Sequence, residues 1–156
     1  MIVGEGSVLR RDGGVAFEDA PDHGRVIVFG ADTDGASSLM EWTVASRPAS
    51  APHRELDFGP HQHAAIEEVF VIRRGSVDFL VGDAVTTMHA GDVVRVPAGT
   101  RHAYINRSGH DVEMLVMFSP GGFEELFVQY RTDQPAPSGD GFVADAHRLF
   151  ATEFET

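Results

Sequence analysis

Short apolar runs fill the middle of the chain, and each of them ends at glycine, proline or another turn residue. The runs "SVDFLVG" (76–82) and "AVTTMHA" (84–90), for example, meet at Gly82-Asp83, a pair that favours a two-residue hairpin turn. The other runs span residues 25–30, 38–45, 68–75, 92–98, 101–107 and 112–119. Runs of this length at near-regular spacing predict an all-β sandwich or barrel.

Beyond Pro120 the spacing of apolar residues becomes helical. "GGFEELFVQYR" (121–131) carries an apolar stripe behind two acidic residues, which predicts a short helix. "TDQPAPSGDG" (132–141) has the composition of a linker, and the stripe of "FVADAHRLFATEF" (142–154) predicts a tail helix that includes Phe154. We therefore expect a barrel domain over residues 1–131, followed by a linker and a packed tail helix over residues 132–156.

Length and charge limit the class of protein. A chain of 156 residues with 42% hydrophobic and 23% charged residues is typical of one globular domain. Its formal net charge of -12 argues against nucleic acid or an anionic membrane as partner. The sequence has no cysteine, which excludes disulfides and thiolate ligands. With no signal-peptide pattern and no apolar stretch of membrane-spanning length, these features favour a cytoplasmic protein.

The stretch "GPHQHAAIEEVFVIRRG" (59–75) contains the strongest chemical signal. His61 and His63 are two residues apart, so on a strand both imidazoles point to one side. Glu67 or Glu68 follows with a carboxylate, and His102 begins a later predicted strand. Three imidazoles and a carboxylate suit divalent iron, manganese, nickel, cobalt or zinc. The alternative is a set of strand histidines that bind no metal.

The spacing of these residues resembles the two motifs of the cupin superfamily, in particular small bacterial cupins of the quercetin 2,3-dioxygenase-like group. Glu55 stands where the first motif has a glycine, so the resemblance is weaker in the loop that precedes the histidines. The residues that match the first motif are His61, His63, Glu68 and Gly75. Those that match the second are Gly91, Pro97, Gly99, His102 and Asn106. The resemblance implies a double-stranded β-helix jelly roll with short C-terminal helices, a metal held by His61, His63, Glu68 and His102, and a homodimer.

Strand alternation and motif spacing disagree about the carboxylate ligand. Strict alternation from His63 brings Glu67 onto the histidine face, whereas the distance to Gly75 in the motif favours Glu68. We expect Glu68, which requires a bend or bulge in "AAI" (64–66).

Substrate contacts are expected on the strands that carry the ligands and on other strands of the barrel. Tyr104 lies two residues after His102 and should share its cavity, with Phe70 and Phe79 as candidate apolar walls. Arg95 lies on an otherwise apolar strand, where it meets an acidic substrate group or is simply solvated. His53 lies on the proline-rich connection before the site. We expect it at the surface, and the alternative is that it reaches the mouth of the barrel.

Three functions are consistent with such a site. The first is a metal-dependent dioxygenase acting on a small aromatic or enolic substrate, with Glu68 as the group that takes a proton. The second is a non-redox metal enzyme, either a lyase, an isomerase or a natural-product cyclase. The third is a cupin that binds a small ligand without catalysis.

Overall fold

The computed structural model describes residues 13–19, 21–48, 50, 59–131 and 139–155. Within this part of the chain the strands are β1 (Val15–Asp19), β2 (Asp22–Val28), β3 (Ser38–Val44), β4 (His61–His63), β5 (Glu67–Arg74), β6 (Ser76–Val81), β7 (Ala84–His89), β8 (Val93–Val96), β9 (His102–Ile105), β10 (Val112–Ser119) and β11 (Thr152–Phe154). The helices are α1 (Glu124–Arg131) and α2 (Gly139–Phe150).

The strands form two antiparallel sheets. The larger has the order β1-β2-β3-β10-β5-β8, and the smaller has the order β11-β4-β9-β6-β7. Strands that are distant in sequence lie side by side, such as β5 beside β10 and β4 beside β9. This arrangement confirms the predicted all-β jelly roll with short C-terminal helices.

Alternating burial along the strands places the core between the two sheets. In β10 every second residue is buried, from Val112 to Phe118, while the residues between them are partly exposed. Strands β3 and β5 alternate in the same way. Burying one such apolar side chain contributes about 1.5–3 kcal/mol, so these inward faces supply most of the drive for the sheets to pack.

The C-terminal tail differs from the sequence prediction. Helix α2 ends at Phe150, and Ala151 follows with a positive φ of 48°. The chain then forms β11, which pairs with β4. The sequence places Phe154 on the helix because Phe150 and Phe154 are four residues apart, but Phe154 lies on this strand. The predicted boundary at residue 131 stays a prediction, because the linker residues 132–138 lie outside the described residues.

The tight turn between β6 and β7 has the conformation that its sequence predicts. Val81 pairs with Ala84, and Gly82 adopts a φ of 60°, which glycine accepts without a steric penalty. Among the described residues, no helix is long and apolar enough to cross a membrane.

Candidate metal centre

Three histidines from one sheet meet a carboxylate from the other. His61 and His63 lie on β4, and His61 pairs directly with His102 on the neighbouring strand β9. Glu68 faces them from β5 of the larger sheet. One ligand atom from each of the four side chains lies within 4.8 Å of the others, which is the geometry of a group able to hold a metal ion.

The crossing between sheets explains why Glu68 rather than Glu67 reaches this group. The chain leaves the smaller sheet after His63 and enters the larger one at Glu67, and residues 64–66 belong to no strand. The alternation of β4 therefore does not continue into β5. Glu68 is only 4% exposed, whereas Glu67 points outward and pairs with Arg95 at 2.5 Å.

Each imidazole is held from behind through its Nδ1 atom. His61 Nδ1 lies 3.0 Å from the carbonyl oxygen of Gly59, and His102 Nδ1 lies 2.9 Å from that of Thr100. A carbonyl only accepts hydrogen bonds, so in both rings Nδ1 is the donor. His63 Nδ1 lies 2.8 Å from the hydroxyl of Thr152. These contacts direct the three Nε2 atoms to the centre of the group, as in metal sites whose ligands are oriented by outer partners.

The inward atoms lack hydrogen bonds of good geometry. Glu68 Oε2 lies 2.5 Å from His102 Nε2 and 3.4 Å from His63 Nε2, yet none of these buried atoms has a properly aligned hydrogen-bond partner among the described residues. Buried polar atoms without partners are costly. A divalent cation would satisfy all of them at once, so the residues present fit a metal ion.

The protonation of the group is uneven. Burial, together with the neighbouring His102, lowers the pKa of His61 to about 4, so this ring is neutral near pH 7. Burial alone would lower the pKa of His102, but the adjacent Glu68 carboxylate raises it above its ordinary value. Burial opposes ionisation of Glu68, but contacts with His102 and His63 hold its pKa well below the usual range. The group therefore contains one ionised carboxylate, a His61 ring that competes weakly for protons, and a His102 ring whose proton affinity is raised.

An apolar cavity of about 40 Å³ adjoins the candidate ligands. Its polar groups are few, and its walls are largely aromatic. It is lined by Met40, His61, Glu68, Phe70, His102, Tyr104, Val116, Phe118, Phe123, Phe127 and Phe154. Burial and nearby carboxylates, chiefly Asp22, raise the pKa of Tyr104 well above its ordinary value, so its hydroxyl stays protonated.

Two of the four expected substrate contacts line this cavity. Phe70 and Tyr104 are among its walls, whereas Phe79 packs behind them with ring centroids 5.0 Å from Phe70 and 5.5 Å from Tyr104. Arg95 lies outside: it is exposed between the buried Val94 and Val96, so alternation along β8 turns it away from the site. The expectation of Arg95 in the cavity is thus corrected to its solvated alternative.

Two further residues flank the candidate ligands in the sequence. Asn106 is fully buried and donates hydrogen bonds to the carbonyl oxygens of Val44 and His110, which makes it a structural residue. His53 lies outside the described residues.

Sequence reasoning missed the contribution of the C-terminal segment. Thr152 contacts His63, and the ring of Phe154 stacks on His61 with centroids 5.5 Å apart and planes 27° apart. Phe123 also packs edge-on against His63, at 4.6 Å. The alternation of Thr152 and Phe154 is the signal that points to a strand, but three residues are too few to distinguish it from the end of a helix.

Comparison with known proteins identifies the family. The sequence model of the cupin domain family matches residues 49–118, which include all four candidate ligands. The chain has a cupin domain. A quercetin 2,3-dioxygenase from Aspergillus japonicus is 30% identical over an alignment of 138 positions, and the match covers 74% of this chain. The aligned part is 39% of that enzyme, so the chain spans less than half of its relative's length.

Solved structures support the same fold for the cupin domain. KdgF from Halomonas sp. superposes with a TM-score of 0.62 and 16% identity over 78% of this chain and 99% of that one. The polyketide cyclase RemF from Streptomyces resistomycificus superposes with a TM-score of 0.57 and 18% identity over 74% of this chain and 80% of that one. At these identities the likeness is one of fold.

Proposed function

We propose that this cupin is a metal-dependent enzyme that binds a divalent cation through His61, His63, Glu68 and His102. The observation that supports it is the convergence of four ligand side chains, of which His63 Nε2, His102 Nε2 and Glu68 Oε2 are buried without aligned hydrogen-bond partners among the described residues. The candidate ions are iron, manganese, nickel, cobalt and zinc, all of which accept nitrogen and oxygen ligands.

The cavity residues suit a small substrate that chelates through neighbouring oxygens. A bound cation would act as a Lewis acid on a substrate hydroxyl or carbonyl. Tyr104 keeps its proton and would donate a hydrogen bond to a substrate oxygen, while Phe70 and Phe154 would bury an aromatic ring. Glu68 is ionised and faces the cavity, so it would accept the proton that an enolic hydroxyl releases.

We propose dioxygenase chemistry on an aromatic or enolic compound as the first reading. It is supported by the relative that is a quercetin 2,3-dioxygenase and by the apolar, aromatic cavity. The second reading is a non-redox lyase, isomerase or cyclase, which would use the same cation site and cavity without dioxygen. A third reading, ligand binding without catalysis, uses the same cavity.

One experiment separates these readings. The purified chain is stripped of metal, reloaded with one candidate ion at a time, and mixed with flavonol-like or polyphenol-like enols under oxygen. The first reading predicts a change in the metal's spectrum and oxygen uptake with at least one redox-active ion. Binding without oxygen uptake, but with conversion of the enol, favours the second reading. Binding with neither favours the third.

A homodimer is the second part of the proposal. The outer face of the larger sheet carries a patch of apolar side chains, and Leu115 and Met117 of β10 lie opposite Val71 and Val69 of β5 there. Val93, which pairs with Val71, is 55% exposed. A second copy of the chain would cover this patch. The cytoplasmic location stays a prediction from the sequence.

A further inference from the structure

The strand β11 brings a hydroxyl group to the back of the candidate metal centre. Thr152 pairs with His63 across β11 and β4, and its Oγ1 atom lies 2.8 Å from His63 Nδ1. Both side chains are buried, with exposed fractions of 0% for Thr152 and 2% for His63. The residue that supports this ring therefore comes from the far C-terminal end of the described chain, 89 positions away.

Several contacts hold β11 in place. Ala64 N–H donates to the carbonyl oxygen of Ala151 at 3.3 Å, at the start of the strand. At its end, Glu155 N–H donates to the carbonyl oxygen of Pro60 at 2.9 Å, and the side chain of Glu155 pairs with Arg101. The position of the Thr152 hydroxyl is thus fixed from both sides.

A hydroxyl differs chemically from the carbonyls that support the other two rings. The carbonyls behind His61 and His102 only accept, so they keep the proton on Nδ1 and leave the Nε2 lone pair for a ligand. The Thr152 hydroxyl both donates and accepts, so it is compatible with either neutral form of His63. Only the form with the proton on Nδ1 presents a lone pair to a cation, and in that form Thr152 is the acceptor.

We propose that Thr152 is a positioning residue that orients the His63 ring with Nε2 towards the cation and accepts a hydrogen bond from Nδ1–H in the metal-binding form, which makes β11 a part of the metal centre. The inference rests on the metal site proposed above. Outer partners of this kind typically change metal affinity by about 10–100-fold when they are removed. Loss of the Thr152 hydroxyl should therefore weaken metal binding although Thr152 itself is no ligand.

The test compares Thr152→Val, which keeps the shape of the side chain without the hydroxyl, with Thr152→Ser, which keeps the hydroxyl. Cobalt(II) is titrated into each metal-free protein and followed by its visible spectrum. We expect Thr152→Val to bind cobalt roughly 10–100-fold more weakly than the wild type, and Thr152→Ser to stay within about threefold. Equal affinity of Thr152→Val and the wild type would overturn the inference.

Glu153→Ala is the matched control, because Glu153 lies beside Thr152 on β11. The change removes an exposed hydrogen bond from Gln62 Nε2 to Glu153 Oε2 and leaves the Thr152 hydroxyl in place. Its cobalt affinity should equal that of the wild type. If Glu153→Ala and Thr152→Val lost cobalt affinity equally, the effect would belong to β11 as a whole, and a specific role for Thr152 would be rejected.

A second measurement needs no variant. Nitrogen-15 spectra of the zinc-loaded wild type report which nitrogen of His63 carries the proton. The proposal predicts the proton on Nδ1, and a proton on Nε2 would overturn it. A wild type that binds neither zinc nor cobalt would remove the metal site itself, and this result is visible before any Thr152 variant is made.

Discussion

His61 and His102 are direct partners across β4 and β9, and their ring centroids lie 4.4 Å apart. Two imidazolium charges at this distance repel each other, and this repulsion contributes to the low pKa of His61. The pair is therefore poorly suited to hold two protons. It is well suited to share one divalent cation whose charge is also balanced by Glu68.

The first prediction concerns the ligands. His61→Ala, His63→Ala and His102→Ala should each lower metal affinity by roughly 100-fold or more, since loss of a ligand should cost at least as much as loss of an outer partner. Metal content after dialysis against the free ion, measured by elemental analysis, checks this. Gln62→Ala is the control, because its side chain contacts Glu153 at the surface and should leave the metal content unchanged. Full retention of metal by all three histidine variants would contradict the proposed site.

The second prediction compares the two adjacent carboxylates. Glu68→Gln removes the only charge that the larger sheet contributes to the group and should release most of the bound metal. Glu67→Gln breaks only an exposed contact with Arg95 and should keep it. Isothermal titration with zinc measures both affinities. If Glu67→Gln bound zinc more weakly than Glu68→Gln, the carboxylate ligand would be Glu67 and not Glu68.

The third prediction concerns pH. The raised pKa of His102 means that its ring takes up a proton at a higher pH than an ordinary histidine does, and this proton must leave before the ring can bind a cation. Metal affinity should therefore decrease as pH falls through that pKa, by about tenfold per pH unit for one displaced proton. His61 should add no further proton competition until the pH approaches 4. Zinc titrations between pH 8 and pH 5 measure the slope, and a flat profile would argue against imidazole ligation.

The sequence predicts the strands and the convergence of the site better than it predicts the tail. The runs from residue 25 to 119 are identifiable because turn residues bound each of them. Motif spacing identifies Glu68 correctly, whereas strand alternation favours Glu67, because alternation does not register that the chain crosses between the sheets at residues 64–66. β11 was missed because Phe150 and Phe154 keep helical spacing although Ala151 ends the helix. The outward direction of Arg95 follows from its alternation with Val94 and Val96, a local signal that the apolar content of the strand obscured.

The fourth prediction tests the homodimer. Leu115→Asp places a charge in the centre of the apolar patch on the larger sheet, where burial against a second copy would be strongly unfavourable. The wild type should have the mass of a dimer in light scattering at micromolar concentration, and Leu115→Asp should have that of a monomer. Thr86→Asp, at an exposed position of β7 in the other sheet, is the control and should remain dimeric. A monomeric wild type would refute the proposal.

The fifth prediction concerns the access of substrate to the cavity. A volume of about 40 Å³ is far below the range of roughly 300–1,000 Å³ that is usual for small-molecule sites. An aromatic chelator therefore has to displace part of the wall, and Phe154 is the lining ring that lies on the short terminal strand β11. Phe154→Ala should raise the association rate of a flavonol-like chelator with the cobalt-loaded protein by roughly tenfold, an order of magnitude typical of changes at a single interface.

Stopped-flow absorbance of the bound cobalt measures that rate. Phe79→Leu is the matched control, because Phe79 is buried behind Phe70 and Tyr104 and does not line the cavity. Its association rate should stay close to that of the wild type. The cobalt affinity of Phe154→Ala is measured beside it, since loss of the ring that stacks on His61 must be separated from a change in access. If Phe154→Ala and Phe79→Leu change the rate equally, the barrier lies in the core and not at Phe154. If neither variant changes it, the chelator enters past another part of the wall.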